Sequence, residues 1–326
     1  MSTGLPDKPW LLADIGGTNA RFAIQQLTTG GEPEQQRVLA CADHATLTEA
    51  VEAYLTTTDG PRPHRAAMAI ATPVTGDHVR MTNHHWSFSI EQTRRALDLT
   101  ELHLLNDFTA QALAVPHLAA TDKTPLGGDA PAPGCPIAVL GPGTGLGVSG
   151  LLPAADGWIP LQGEGGHVSF SPATDLEIEL LRTLRQNHDH VSAERVVSGM
   201  GIANIHGALV QIHGQAGDSL SAPVIVERAR QGDCELCLLT LRTFAGILGN
   251  VTGNLLLTLG ARGGFYICGG IVPRLGALFD RDLVRQRFEA HGRFSDYLAP
   301  IPGTLVTAAQ PALMGLARGF TPLHAR

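Results

Sequence analysis

The sequence predicts an α/β protein of two lobes, and three observations carry that expectation. An apolar strand, a glycine turn and an immediate second strand occur twice, near residues 10–24 and 136–152. Strands alternate with helix patterns through the first third of the chain. The 326 residues are enough for two domains, each with its own core.

Residues 10–15 form an apolar run stopped by Gly16-Gly17-Thr18-Asn19, and residues 21–24 alternate beyond it, which reads as strand, tight turn, strand. A third strand is expected at 37–41, and apolar residues at helical spacing predict a helix over 47–55. A buried strand at 66–71 ends at Thr72-Pro73, and Ser89 reads as the cap of a helix over 90–97. A strand at 102–105 then runs through Asn106-Asp107 into a helix over 108–115. The order βββαβαβα predicts a mixed sheet with helices on its faces.

Residues 116–136 turn rich in Pro, Gly, Ala and Asp, the natural handover to a second domain. That part opens as the first does, with a strand at 136–140, a glycine turn at 141–147 and a returning strand at 148–152. Helices dominate from Asp175, one of them amphipathic and running through Cys234 and Cys237, until a strand at 264–268 meets Gly269-Gly270. A last strand at 304–307 and a helix over 311–318 follow. The expected domains are 1–117, joined by 308–326, and 118–307.

Charge and composition exclude several classes. A net charge of −7 without a Lys/Arg cluster argues against nucleic acid and anionic membrane, which need a basic footprint. An anionic ligand would have to be held by backbone N–H groups and a metal ion. The start of the chain lacks the pattern of a signal peptide, and no uninterrupted apolar stretch reaches membrane-spanning length, so a soluble protein is expected. Five scattered cysteines point to a reducing compartment, the cytoplasm. Cys234 and Cys237 have no second ligand pair nearby and read as structural thiols.

Six segments carry candidate chemistry. Asp14-x-Gly16-Gly17-Thr18-Asn19 sits between two strands, where glycines let backbone N–H groups approach an oligophosphate and a strand-end carboxylate can hold hydrated Mg²⁺. A plain hairpin turn explains it equally well when taken alone. Gly141 to Gly147 repeats the arrangement, and two such turns could grip one phosphate chain. Gly145, Gly147 and Gly150 also satisfy a dinucleotide fingerprint, but a strand follows where that fingerprint needs a helix. Neither turn has the Gly-Lys-Ser/Thr of a P-loop.

Asn106-Asp107 lies between strand and helix, where a carboxylate could accept a proton from an attacking hydroxyl, although helix capping explains the pair more simply. Gly163-Glu164-Gly165-Gly166-His167 sets a carboxylate and an imidazole among glycines, suited to a polyol and less to a metal, for which further ligands are absent. Glu194 is a further polyol acceptor or a solvated residue beside Arg195. Gly269-Gly270 after a strand leaves room for an adenine or ribose, though an ordinary turn would look the same.

Taken in order, DIGGTNARFA, TNHHWSFS, LNDFTA, GPGTGLG, GEGGHVSF, SAERVVSG and GGIVPR resemble segments of the bacterial glucokinase family, a branch of the hexokinase and actin-like ATPase superfamily. The resemblance runs over essentially the whole chain. It implies the two-lobed actin-like ATPase (ribonuclease H-like) fold, with a smaller α/β domain, a larger α+β domain and a cleft between them for ATP, Mg²⁺ and a hexose. By carry-over, Asp14, Ile15, Gly16, Gly17, Thr18 and Asn19 form the first phosphate loop, with Asp14 holding Mg²⁺ through water. Gly143, Thr144 and Gly145 belong to the second loop, and Gly269 and Gly270 lie beside the adenosine.

For the sugar, the resemblance assigns Asn106, Asp107, Glu164, His167 and Glu194 to the hydroxyls, with Asp107 as the base acting on the 6-hydroxyl. It implies glucose 6-phosphate as product in the first step of glycolysis, lobe closure on glucose and a homodimer. A related branch of repressors carries a cysteine-rich zinc motif beside its sugar histidine. Here Val168-Ser169-Phe170-Ser171 follows His167, so no structural zinc is expected. Only thirteen residues precede Asp14, too few for a DNA-binding module. The remaining readings are a kinase for mannose, fructose or an amino sugar, a silent sugar-binding regulator and, more distantly, a dinucleotide enzyme.

Overall fold

The computed structural model describes residues 9–26, 32–82, 84–155, 157–215 and 220–320. The first eight positions, read above for a signal peptide, and Asn83 of TNHHWSFS lie outside them. The described residues divide into two compact units. One runs to Ala119 and takes in Ala154–Gln162 and the chain from Ala308, and the other holds Ala120–Pro153 and Gly163–Thr307.

The first unit contains β1 (Trp10–Ile15), β2 (Asn19–Gln25), β3 (Glu34–Ala40), helix α1 (Leu47–Leu55), β4 (Arg65–Ile70), the short strands β5 (His78–Arg80) and β6 (Ser87–Ser89), α2 (Ile90–Ala96), β7 (Glu101–Asn106) and α3 (Asp107–Ala114). Its main sheet has the order β3-β2-β1-β4-β7, antiparallel from β1 through β3 and parallel from β1 through β7. This is the mixed sheet expected from the element order. Trp10, Leu11, Leu12 and Ala13 are all buried, as in a strand covered on both faces. α1 keeps its predicted bounds because Thr46 accepts the Glu49 N–H at 3.1 Å while the Glu49 carboxylate accepts the Ala45 N–H at 2.8 Å. Ser89 likewise caps α2, accepting the Gln92 N–H at 3.1 Å.

The second unit contains β8 (Lys123–Pro125), β9 (Ile137–Pro142) and β10 (Leu146–Ala154). After β11 (Gly157–Gln162), which groups with the first unit, come α4 (Asp175–Leu184), α5 (Gly199–Ile212), α6 (Ala222–Gln231), α7 (Glu235–Leu259), β12 (Phe265–Ile267), α8 (Ile271–Leu275), α9 (Arg281–Glu289), α10 (Ser295–Leu298) and β13 (Gly303–Val306). Strands run in the order β10-β9-β12-β13-β8, with β9 and β10 antiparallel and β9, β12 and β13 parallel. The run β2-β1-β4-β7 of the first unit is thus repeated as β10-β9-β12-β13, the duplication suggested by the two strand–turn–strand starts.

Two expectations need correction. The single helix expected through Cys234 and Cys237 is broken: Gly232, at φ +75°, ends α6 in the left-handed region, and Cys234 caps α7. α7 itself is long and apolar enough to cross a membrane, although most of it is buried within the second unit's core. The last helix, expected over 311–318, is α-helical only at α11 (Pro311–Met314) and continues as a π-helical turn, Gly315–Phe320, in the first unit. The close fit of that turn to α3 accounts for its glycine: a Cβ on Gly315 would stand 1.8 Å from the Ala110 carbonyl oxygen.

Candidate active site

In the first unit the β1–β2 register sets Asp14 opposite Arg21 and leaves Gly16-Gly17-Thr18 as the turn. The Gly16 N–H donates to the Asn19 carbonyl at 3.0 Å. The Cys41 N–H donates to Thr18 O at 2.8 Å and the Cys41 thiol to Gly16 O at 3.5 Å, so one residue holds both sides of the turn. Thr18 is exposed at its tip, whereas the Ile15 side chain is buried in the core, leaving Ile15 only its backbone for a ligand. Asp14 is largely buried. Burial pushes its carboxyl above the ordinary value, and the Arg21 guanidinium, 3.4 Å away, opposes that rise through its charge and hydrogen bond.

Asn106 and Asp107 end β7 and begin α3. The cap belongs to Asn106, whose Oδ1 accepts the N–H groups of Phe108 at 2.9 Å and Thr109 at 3.3 Å. Its Nδ2 donates to the Thr72 carbonyl at 3.5 Å, and the Thr72 hydroxyl bonds Arg80 O at 3.1 Å and the Thr82 hydroxyl at 3.2 Å. Asp107 is the first helical residue, and its Oδ1 accepts the Phe108 N–H at 2.9 Å. Capping therefore accounts for Asn106 and does not by itself require a carboxylate next to it.

In the second unit three predicted segments converge on a fourth, the β9–β10 turn. The Gly143 N–H donates to Gly145 O at 2.8 Å, and Thr144 is exposed at the tip as Thr18 is in the first turn. Gly199, at the start of α5, donates its N–H to Gly143 O at 2.9 Å. Gly269, at φ +84°, lies so close to Pro142 that a Cβ would stand 2.5 Å from the Pro142 carbonyl oxygen. Gly270 follows as the N-cap of α8.

Leu146, the residue directly after the turn, is held from both sides. Its N–H donates to Glu194 Oε2 at 2.9 Å. Gly166 packs so tightly on it that a Cβ would come 2.1 Å from the Leu146 carbonyl oxygen. The segments bearing Glu164, His167 and Glu194 are themselves joined, since the Ala193 N–H donates to Val168 O at 2.8 Å and the Phe170 N–H to Val191 O at 2.9 Å. Glu164 and His167 are exposed. Among the described residues, no three His, Cys, Asp or Glu side chains are grouped to hold a metal ion.

The glucokinase family model matches residues 11–321. The chain belongs to the glucokinase family. A glucokinase of Aromatoleum aromaticum is 52% identical over 97% of this chain and 96% of its own. A solved glucokinase structure from an Antarctic psychrotroph is 37% identical, with a TM-score of 0.88 over 98% of this chain and 99% of that one. A ROK family glucokinase from Streptomyces griseus, solved with glucose and AMPPNP, shares 18% identity and a TM-score of 0.61, over 95% of this chain and 98% of that one. The fold is that of these sugar kinases, the actin-like ATPase fold.

Sequence reasoning did not single out Leu146, Ser198 or the Thr72–Thr82 pair. Ser198 caps α5 by accepting the Gly201 N–H at 2.9 Å and donates its hydroxyl to the Glu194 carbonyl at 2.7 Å. A serine before a helix is a readable capping signal. The part Leu146 plays runs through its backbone, for which an apolar side chain gives no sign.

Proposed function

We propose that the chain transfers the terminal phosphoryl group of ATP to the 6-hydroxyl of glucose, forming glucose 6-phosphate in the first step of glycolysis. Membership of the glucokinase family makes glucose phosphorylation the activity. The observation that carries the finer reading is the way the Glu164–His167 loop and Glu194 are built onto Leu146, at the foot of the second glycine turn.

Phosphoryl transfer asks a protein mainly to position its reactants and neutralise charge, because the transition state is loose. The turns at 14–19 and 143–145, with the Thr18 and Thr144 hydroxyls, hold the phosphates in this reading, and Gly269 and Gly270 admit the adenosine. Asn106, Glu164, His167 and Glu194 hydrogen-bond the sugar hydroxyls. Asp107 accepts the 6-hydroxyl proton as that oxygen attacks phosphorus. Mg²⁺ fits beside Asp14, a strand-end carboxylate that burial leaves only partly compensated by Arg21. Held there through water, it would neutralise phosphate charge. A homodimer in the cytoplasm completes the proposal, supported by family membership and by five free thiols.

The test is turnover with glucose, mannose, fructose and glucosamine, each with ATP and other nucleotides, read as hexose 6-phosphate formed. Glucose with ATP should give the highest kcat/KM. Faster turnover of another hexose would move the assignment to that sugar, and sugar binding without product would make the chain a regulator.

A further inference from the structure

Cys234 and Cys237 take no part in the site described above, yet their placement is specific. Cys234 is the N-cap of α7, with extended backbone at φ −136° and ψ 96°, and its sulfur accepts the Cys237 N–H at 3.3 Å. Sulfur is a weak acceptor, and Ser, Asp or Asn would cap this helix better, so capping alone is a poor reason for cysteine here.

The two thiols differ in access. Cys234 is partly exposed, while Cys237 is fully buried in the core of the second unit. Burial first, then the hydrogen bond and charge of Cys234, push the Cys237 thiol up to about 12. Arg228 on α6 acts the other way on this thiol, and Asp233 adds to the rise. Cys234 stands at the start of the 25-residue helix α7, where its sulfur is within reach of a reactant from solvent. An accessible thiol at a helix start, accepting the backbone N–H of a buried cysteine three residues on, is the arrangement of an attacking and a resolving cysteine.

We propose that Cys234 and Cys237 form a reversible dithiol–disulfide site that reacts with small-molecule disulfides such as oxidised glutathione. The Cys234 thiolate attacks one sulfur of the external disulfide, which leaves a mixed disulfide on Cys234 and releases one thiolate that takes up a proton. The Cys237 sulfur then attacks the Cys234 sulfur, and its proton passes to the departing external sulfur, which leaves as the second thiol. Two protein thiols are oxidised and one external disulfide is reduced to two thiols, so atoms and electrons balance.

The full-length protein is incubated in glutathione buffers of increasing oxidised fraction, and free thiols, intact mass and the disulfide-linked peptide are read. Two of the five thiols should disappear, with the mass loss of two hydrogens, no retained glutathione, the link mapped to Cys234–Cys237 and full reversal by reduced glutathione. Cys237→Ser should hold one stable glutathione on Cys234, and in Cys234→Ser the remaining Cys237 should stay unmodified. Five thiols surviving in the wild type would overturn the proposal, as would glutathione held only on Cys135, or Cys237 reacting at the wild-type rate in Cys234→Ser. The wild-type reading needs no variant to fold.

Discussion

Glu194 Oε2 accepts the Leu146 N–H at 2.9 Å, and a Cβ on Gly145 would stand 2.3 Å from the same oxygen. A carboxylate assigned to the sugar therefore also holds the foot of a phosphate turn. Glu194→Ala should raise KM for both glucose and ATP, whereas Glu194→Gln, which keeps an acceptor, should raise mainly the glucose KM. A lost charge-assisted hydrogen bond makes each rise on the order of ten- to a hundredfold. Gly145→Ala should raise the ATP KM with less effect on glucose. Steady-state kinetics with each substrate varied separately distinguish the three variants.

Burial of Asp14 has a consequence for stability. Its folded-state pKa lies above the ordinary 3.8, so the unfolded chain releases this proton first as pH rises. Stability contributed by Asp14 is present below that value and is lost as pH climbs through the folded one. Ionised Asp14 is therefore a net cost to the ligand-free protein at neutral pH. Asp14→Asn should raise the melting temperature of that form at pH 7 and lower turnover on the order of 10²-fold, the scale for lost electrostatic stabilisation. Thermal unfolding from pH 4 to 8, together with kcat, checks both parts.

Gly315 bears on catalysis through packing. Its missing Cβ lets the C-terminal turn lie against α3, whose first residue is Asp107. Gly315→Ala should destabilise the first unit by about 1–3 kcal/mol, the range for overpacking, because the obstacle is backbone. kcat should fall as well, since displacing α3 displaces Asp107. Thermal unfolding and kcat on the same preparation test the link.

Arg287 and the buried Glu177, 2.8 Å apart, join α9 to α4, and Glu177 also accepts the Ala173 N–H at 2.7 Å. Glu177→Ala leaves the half-buried Arg287 without its counterion and should cost about 3 kcal/mol. The glucose KM should hardly change in protein that remains folded, which calorimetry and kinetics together establish.

The two hairpin starts were legible because apolar runs and glycine turns are local signals, and α1 because Thr46 and Glu49 form a cap within one turn. The break at Gly232 was missed because apolar spacing continues across it. Three-residue strands such as β5 and β8 are too short to show alternation. For Glu194 the residues alone offered a polyol acceptor or a solvated surface group. Its bond to a backbone N–H 48 positions earlier is tertiary and leaves no pattern in the chain. Asn106 as the cap was readable in type, yet the choice of Asn106 over Asp107 depends on the φ and ψ at which β7 ends.

The most direct measurement is single-turnover phosphoryl transfer from ATP to glucose by Asp107→Asn, set beside equilibrium binding of both substrates. Asparagine keeps the shape and the Phe108 contact of Asp107 but cannot take up the 6-hydroxyl proton. Binding of glucose and ATP should stay within a few-fold while the transfer step slows on the order of 10² or more, the scale for lost general-base help. A transfer rate within a few-fold of the wild type would contradict the assignment of Asp107 as the base.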